Sequence, residues 1–156
     1  MASVFLLESR QFLPISLTEA WDYFSNPENL RDLTPPYLGM EIQSRSDSTI
    51  IYPGQIIQYR IKPLWNIPMT WVTEITQVRE GAFFVDEQRF GPYAFWHHAH
   101  FFREVAGGVE MRDLVHYKIP LGFLGRWANR LFVRRQLEEI FEFRKNFLKN
   151  KYPSRS

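Results

Sequence analysis

The chain has 156 residues, 45% hydrophobic and 23% charged, long enough for one domain with its own core and too apolar for a disordered or fibrous chain. A net charge of +2 is too small for nucleic-acid binding. The absence of cysteine excludes a disulfide framework, a thiolate metal site and a thiol nucleophile.

Five Trp, seven Tyr and fourteen Phe make 17% of the chain aromatic, more than a small core needs. The opening Val4-Phe5-Leu6-Leu7 is cut by Glu8, short of a signal peptide's apolar region, and no stretch is long enough to cross a bilayer. A soluble cytoplasmic protein is therefore expected.

In chain order, residues 3–13 read as an apolar, Phe-rich strand that ends at Pro14. Ser16 and Glu19 form a capping box ahead of Ala20, Trp21, Tyr23 and Phe24, which recur at helical spacing. A second short helix starts at Asn26, with Pro27 in its first turn, runs through Leu30 and Leu33, and stops at Thr34-Pro35-Pro36. Strands are then expected at 38–46, 54–62, 69–79, 82–90, 93–105 and 109–119. The turn pairs Pro53-Gly54, Glu80-Gly81, Gly91-Pro92 and Gly107-Gly108 separate them. Connections this short force antiparallel neighbours, giving about seven strands in a meander. Residues 63–69, an apolar connection framed by two prolines, either cap the sheet or guard an opening.

The segment 121–150 is helical, with Arg134/Glu138 and Arg135/Glu139 spaced to pair along its surface. Leu124, Trp127, Ala128 and Leu131 share one side, whereas Val133, Leu137, Ile140, Phe147 and Leu148 share roughly the opposite one. A bend near 131–133 is expected; the alternative is that the first turns face a cavity mouth. Residues 126–156 hold nine Lys/Arg against three Glu, a basic end on a mildly acidic body. Such a run suits a solvated helix face, and peripheral contact with a membrane stays open.

Strand parity selects the functional candidates. In 109–119, Val109, Met111, Asp113, Val115 and Tyr117 share the apolar face, so Asp113 requires a partner or a wet interior. In 93–102, one parity holds Trp96, His98, His100 and Phe102 and the other Phe95, His97, Ala99 and Phe101. Periodicity leaves both open, as it does for Asp86 and Gln88 in 82–90. Two His at i and i+2 could share an ion with Asp86 or Asp113, or serve a His–Asp acid–base pair. No metal or cofactor is expected. Phosphate-binding glycine loops, nucleophile elbows and zinc-protease motifs are missing from the sequence.

The stretches Ala20-Trp21-Asp22-Tyr23-Phe24-Ser25-Asn26-Pro27, Trp71-Val72-Thr73-Glu74, Gly91-Pro92-Tyr93, Trp96-His97-His98-Ala99-His100-Phe101 and Met111-Arg112-Asp113 carry a resemblance. With them, residues 3–150 resemble the START-like superfamily, also called SRPBCC, which includes the birch-pollen allergen and polyketide cyclase/dehydrase groups. The set is most similar to small bacterial ligand-binding members. In some relatives a similar domain is joined to a sugar-nucleotide epimerase-like domain, which this sequence lacks.

The resemblance implies an α+β helix-grip domain over 1–156: about seven curved antiparallel strands wrapped around a long C-terminal helix, with two short helices after the first strand. It also implies a cavity between sheet and helix that binds a small hydrophobic molecule such as a lipid, quinone or polyketide. His98, His100 and Asp113 are expected to orient its polar end, with Asp86 and Gln88 behind them. Tyr59, Trp71, Trp96, Met111 and Tyr117 are expected to supply contact area. The alternative is a cyclase, dehydratase or hydrolase that uses a His–Asp pair, with His98, His100 and Asp113 as its candidates.

Overall fold

A computed structural model describes residues 4–45, 48–63 and 65–154, apart from the side chain of Arg126. Strand β1 (Phe5–Leu13) is followed by α1 (Leu17–Phe24), which is capped by Ser16 accepting from the Glu19 amide at 3.1 Å. Asn26 accepts from the Glu28 amide and starts a single 3₁₀ turn, Pro27–Leu30. The expected helix to Leu33 is thus shorter, and irregular turn bonds carry the chain on to Thr34. A second 3₁₀ turn at Pro36–Leu38 delays the next strand. It ends at Gly39, whose φ of +52° suits a residue without a side chain.

The remaining strands are β2 (Glu41–Arg45), β3 (Gln55–Ile61), β4 (Met69–Arg79), β5 (Phe83–Phe90), β6 (Phe95–Val105) and β7 (Gly108–Lys118). Residue 46 of the expected first meander strand lies outside the described residues, as does residue 64 of the 63–69 connection. The sheet order is β1-β7-β6-β5-β4-β3-β2, antiparallel throughout. Only β2 to β7 form the meander. The chain crosses from β1 at one edge to β2 at the other through α1 and the two short turns, so β1 pairs with β7 instead of its successor. Register shifts at Ile42/Ser44, Val72/Thr73 and Ile75/Gln77 add twist and bend the strands.

The C-terminal segment is not one regular helix. Gly122–Ala128 forms α2, Asn129–Val133 a π turn, and Arg134–Lys151 the long α3. The extra residue per turn in a π segment rotates the faces on either side of it relative to each other. That is where the expected bend falls. Beyond it, Leu137, Phe141 and Leu148 are buried on the sheet; before it, Leu124 and Trp127 are exposed, as is Leu131 within it. The pairs Arg134–Glu138 at 2.9 Å and Arg135–Glu139 at 3.0 Å lie along the surface as the spacing predicts.

The core between sheet and helix has two apolar halves. One gathers Leu13, Trp21, Phe24, Ile57, Tyr59 and Phe102 around α1 and the end of α3. The other gathers Leu7, Trp96, Val115, Tyr117, Leu137 and Phe141 under the start of α3. Polar side chains lie where the sheet faces α3 and are described next.

Candidate functional site

Three adjacent strands and one helix supply the site. Register sets Asp86 opposite His98 on β5 and β6, and His100 opposite Asp113 on β6 and β7. Trp96, His98, His100 and Phe102 are buried on the inner face, which resolves the parity that periodicity left open. The β7 set Val109, Met111, Asp113, Val115 and Tyr117 is buried, as its alternation predicts.

The acid on that face has partners. His98 Nε2 lies 3.0 Å from Asp113 Oδ1, and the Arg144 guanidinium reaches the same oxygen at 3.3 Å from α3. His100 Nε2 lies 2.7 Å from Asp86 Oδ2. His100 Nδ1 is 3.0 Å from Asp113 Oδ1, an ion-pair distance without hydrogen-bond geometry. Trp96 Nε1 donates to Asp86 Oδ1 at 3.2 Å. The two imidazoles overlap with ring centres 3.7 Å apart, and Phe84 stacks on the outer side of His100 at 4.1 Å. Arg144 also lies over the rings of Phe24 and Phe141.

The protonation pattern follows from this geometry. Burial by itself would raise the Asp113 carboxyl, but Arg144 and the two imidazoles outweigh it and hold Asp113 well below the usual carboxylate range. Asp86, opposed by burial in the same way, is lowered by His98 and His100. Burial and the neighbouring His100 lower His98, more than its two carboxylates can offset. Burial acts against His100 too, but its contacts to Asp113 and Asp86 prevail and raise it. The self-consistent assignment is a neutral His98 donating from Nε2 to Asp113, beside a cationic His100 held between two carboxylates. Two acids are then balanced by Arg144 and His100, so the buried group is neutral as a whole.

Donor atoms of Asp86, His98 and His100 lie within 4.8 Å of one another, close enough to share an ion. They are engaged by protein partners, His100 Nε2 with Asp86 and His98 Nε2 with Asp113. The space beside Asp113, expected to be hollow, is taken up by Arg144 and the two imidazoles. Two clefts stand out among the described residues, and both lie at the surface. One, of about 680 Å³, is near Phe12, Ile15 and Gly108, and the other, of about 340 Å³, is near Arg31 and Ile42.

The other expected site residues fall into three positions. Trp71 and Trp96 meet edge to face with centroids 5.1 Å apart, and Tyr93 packs against both. Gln88 braces a turn: its Nε2 donates to the Tyr93 carbonyl at 2.7 Å, and its Oε1 accepts from the Tyr93 amide at 3.1 Å. That grip holds Tyr93 and Ala94 outside β6. Tyr59 and Met111 sit in the α1 half of the core, where the Asp86 carboxylate adds to burial in raising the Tyr59 hydroxyl.

Tyr117 donates from its hydroxyl to Asn129 Oδ1 at 2.9 Å, tying the sheet to the first residue of the π turn. Tyr117→Phe leaves a buried amide oxygen without that donor. A loss of about 1–3 kcal/mol in urea unfolding is expected, with faster amide exchange confined to residues 122–133.

Arg144 and Asn129 are the site residues that pattern reading missed. A signal for Arg144 exists: Leu137, Phe141, Arg144 and Leu148 follow helical spacing on the buried stripe of α3, so a cation occupies an apolar position. Asn129 had no comparable signal, because the π turn that buries it is not periodic.

No protein-family model matches the chain, and no curated protein matches it. Solved structures do. The crystal structure of Ara h 8.0201 aligns over 95% of this chain and 99% of its own, at 14% identity and a TM-score of 0.61. The di-domain ARO/CYC BexL from the BE-7585A biosynthetic pathway aligns over 98% of this chain and 51% of its own, at 14% identity and a TM-score of 0.69. The fold is the helix-grip. That is the fold the sequence resemblance implies. A third helix-grip match is to a nucleoside-diphosphate sugar epimerase from Corynebacterium glutamicum, over 92% of this chain and 28% of that one, at 18% identity and a TM-score of 0.64. In the helix-grip of the present chain, no helix among the described residues is long and apolar enough to cross a membrane.

Proposed function

We propose that the chain binds a small hydrophobic molecule between the sheet and α3, of lipid, quinone or polyketide type. The polar end would be held by the Asp86, His98, His100, Asp113 and Arg144 group. Buried donors without a protein partner carry this reading: Arg144 Nε and Trp71 Nε1 are both shielded from solvent and unpaired. A buried polar group rarely stays unpaired, and a carbonyl or hydroxyl oxygen of a ligand would satisfy it. The aromatic cluster of Trp71, Tyr93, Trp96 and Tyr117 offers flat apolar surface beside these donors.

Arg144 and the two imidazoles crowd Asp113, so a ligand that reaches this carboxylate must displace side chains. The irregular α2 and π segment, joined to the sheet through Tyr117 and Asn129, is the element whose movement would expose that half of the core. The architecture shared with BexL, a di-domain ARO/CYC of a biosynthetic pathway, supports the polyketide-type reading by analogy of fold alone.

An acid–base enzyme is the weaker alternative. One nitrogen of each ring is held by a carboxylate, His98 Nε2 by Asp113 and His100 Nε2 by Asp86, and both Nδ1 atoms lie within 3.5 Å of a carboxylate oxygen, which crowds a substrate's approach.

Native mass spectrometry of gently purified protein tests the binding reading. Adducts of defined mass should accompany the folded chain, and Trp71→Phe with Arg144→Lys should reduce their occupancy. Ligand-free spectra, together with no change in melting temperature across a panel of quinones and fatty acids, would overturn it.

A further inference from the structure

Antiparallel topology brings the 61–69 connection, the 90–95 connection and the β7–α2 junction to the same end of the sheet. The large apolar side chains exposed on the described residues concentrate there: Trp65 is 87% exposed, Leu121 75% and Trp127 70%, with Phe90, Phe123 and Phe132 beside them in sequence or topology. The Gln136 Nε2 bond to the Pro63 carbonyl ties the loop that carries Trp65 to the first turn of α3. Solvent-facing aromatics on three separate segments do not serve a core, and their convergence marks a contact surface.

Backbone strain falls at the same place. Trp65, Asn66 and Leu121 are the non-glycine residues with positive φ among the described residues, at +46°, +58° and +74°. Two of them present the two most exposed large apolar side chains in the structure. A conformation that bulky residues avoid is thus retained where it turns a Trp and a Leu outward.

Charge identifies the occupant. Residues 121–135 contain Arg126, Arg130, Arg134 and Arg135 and no acid, although Arg134 and Arg135 pair with Glu138 and Glu139 one turn on; Lys62 follows β3 and Lys118 ends β7 at this edge. An isologous dimer through the face would set these cations against their own copies. An anionic lipid surface complements them, and Trp, Phe and Leu beside Arg is the composition of an interfacial segment.

We propose that this end of the molecule docks on anionic membranes, with α2 lying in the interface and Trp65, Leu121, Phe123, Trp127 and Phe132 entering the headgroup–acyl boundary. The proposal goes beyond ligand binding and stands without it, since docking requires no occupied interior.

Co-sedimentation of the full chain with phosphatidylcholine vesicles, with and without phosphatidylserine, tests it. Binding should require phosphatidylserine, weaken as salt is raised, and fall by about tenfold or more in Trp65→Ser/Trp127→Ser. Both positions are exposed, and an unchanged melting temperature would show that the variant is folded. Arg130→Glu, which removes no apolar area, should weaken binding as well. Equal binding to both vesicle types, or binding unaffected by either variant, overturns the proposal. So does a concentration-dependent dimer in light scattering that the double variant dissolves while vesicle binding is absent.

Discussion

Replacing Arg144 by methionine is expected to destabilise the fold by about 3–5 kcal/mol, read from the midpoint of urea unfolding at neutral pH. Methionine keeps the apolar stem as far as the Nε position but not the guanidinium that lies over Phe24 and Phe141, so the charge and those ring contacts are lost together. Asp113, 5% exposed, would then lack its guanidinium and be left with imidazoles alone. A buried carboxylate deprived of its main cation cannot recover the hydration it gave up on folding.

The double variant Arg144→Met/Asp113→Asn should regain much of the loss, because removing both charges avoids the desolvation cost of either. If Arg144→Met costs no more than about 1 kcal/mol, the level of an exposed pair, the carboxylate is hydrated and the network does not hold the sheet to α3.

The second large effect is on pH. His100 is raised above its ordinary value of 6.5 by its carboxylate partners. Its contribution is therefore complete below pH 6.5 and is lost as pH climbs through the raised value. Asp113 is lowered below 3.8, so its contribution is complete above that pH and is lost as pH falls through the lowered value. His98, lowered from 6.5, adds to the acid-side loss, because the unfolded chain binds that proton first. Melting temperature against pH should therefore peak near pH 6.5, with an alkaline flank set by His100 and an acid flank that begins with His98 and steepens toward the lowered Asp113.

His100→Asn should flatten the flank above pH 6.5, and Asp113→Asn should reduce the acid one. Burial pushes Tyr23 up to about 12 and raises Tyr59, Tyr93 and Tyr117 as well, so the tyrosines add a loss of their own only above pH 10.0, where the unfolded chain releases its phenol protons first. A flank between pH 6.5 and 10.0 that persists in His100→Asn would mean that His100 is not its source.

Both effects rest on contacts between residues far apart in the chain, which bears on what could be read in advance. Local chemistry was legible. Ser16 caps α1, the Gly and Pro turns divide the strands, and alternation along β7 turns Asp113 inward, because caps, turns and parity depend on a few neighbouring residues. The break in α3's apolar stripe pointed to the irregularity that proved to be a π turn.

Partner choice was not legible. Alternation along β6 could not say which face of Trp96-His97-His98-Ala99-His100 turns inward, since both are apolar enough, and the β5–β6–β7 register decided it. Asp113 demanded a counter-charge, but which of many cations it would meet was settled when α3 laid Arg144 across the sheet, 31 residues along the chain. The strand order likewise set β1 beside β7 and gathered Trp65, Phe90 and Leu121 at one end. Amino-acid order by itself determines most of the elements, the inward face of β7 and the need to compensate an inward carboxylate, because those follow from short-range sterics and from the cost of dehydrating charge. The pairing that meets the need, the side chains that crowd Asp113 and the face left apolar in solvent come only from tertiary packing, where distance along the chain no longer predicts distance in space.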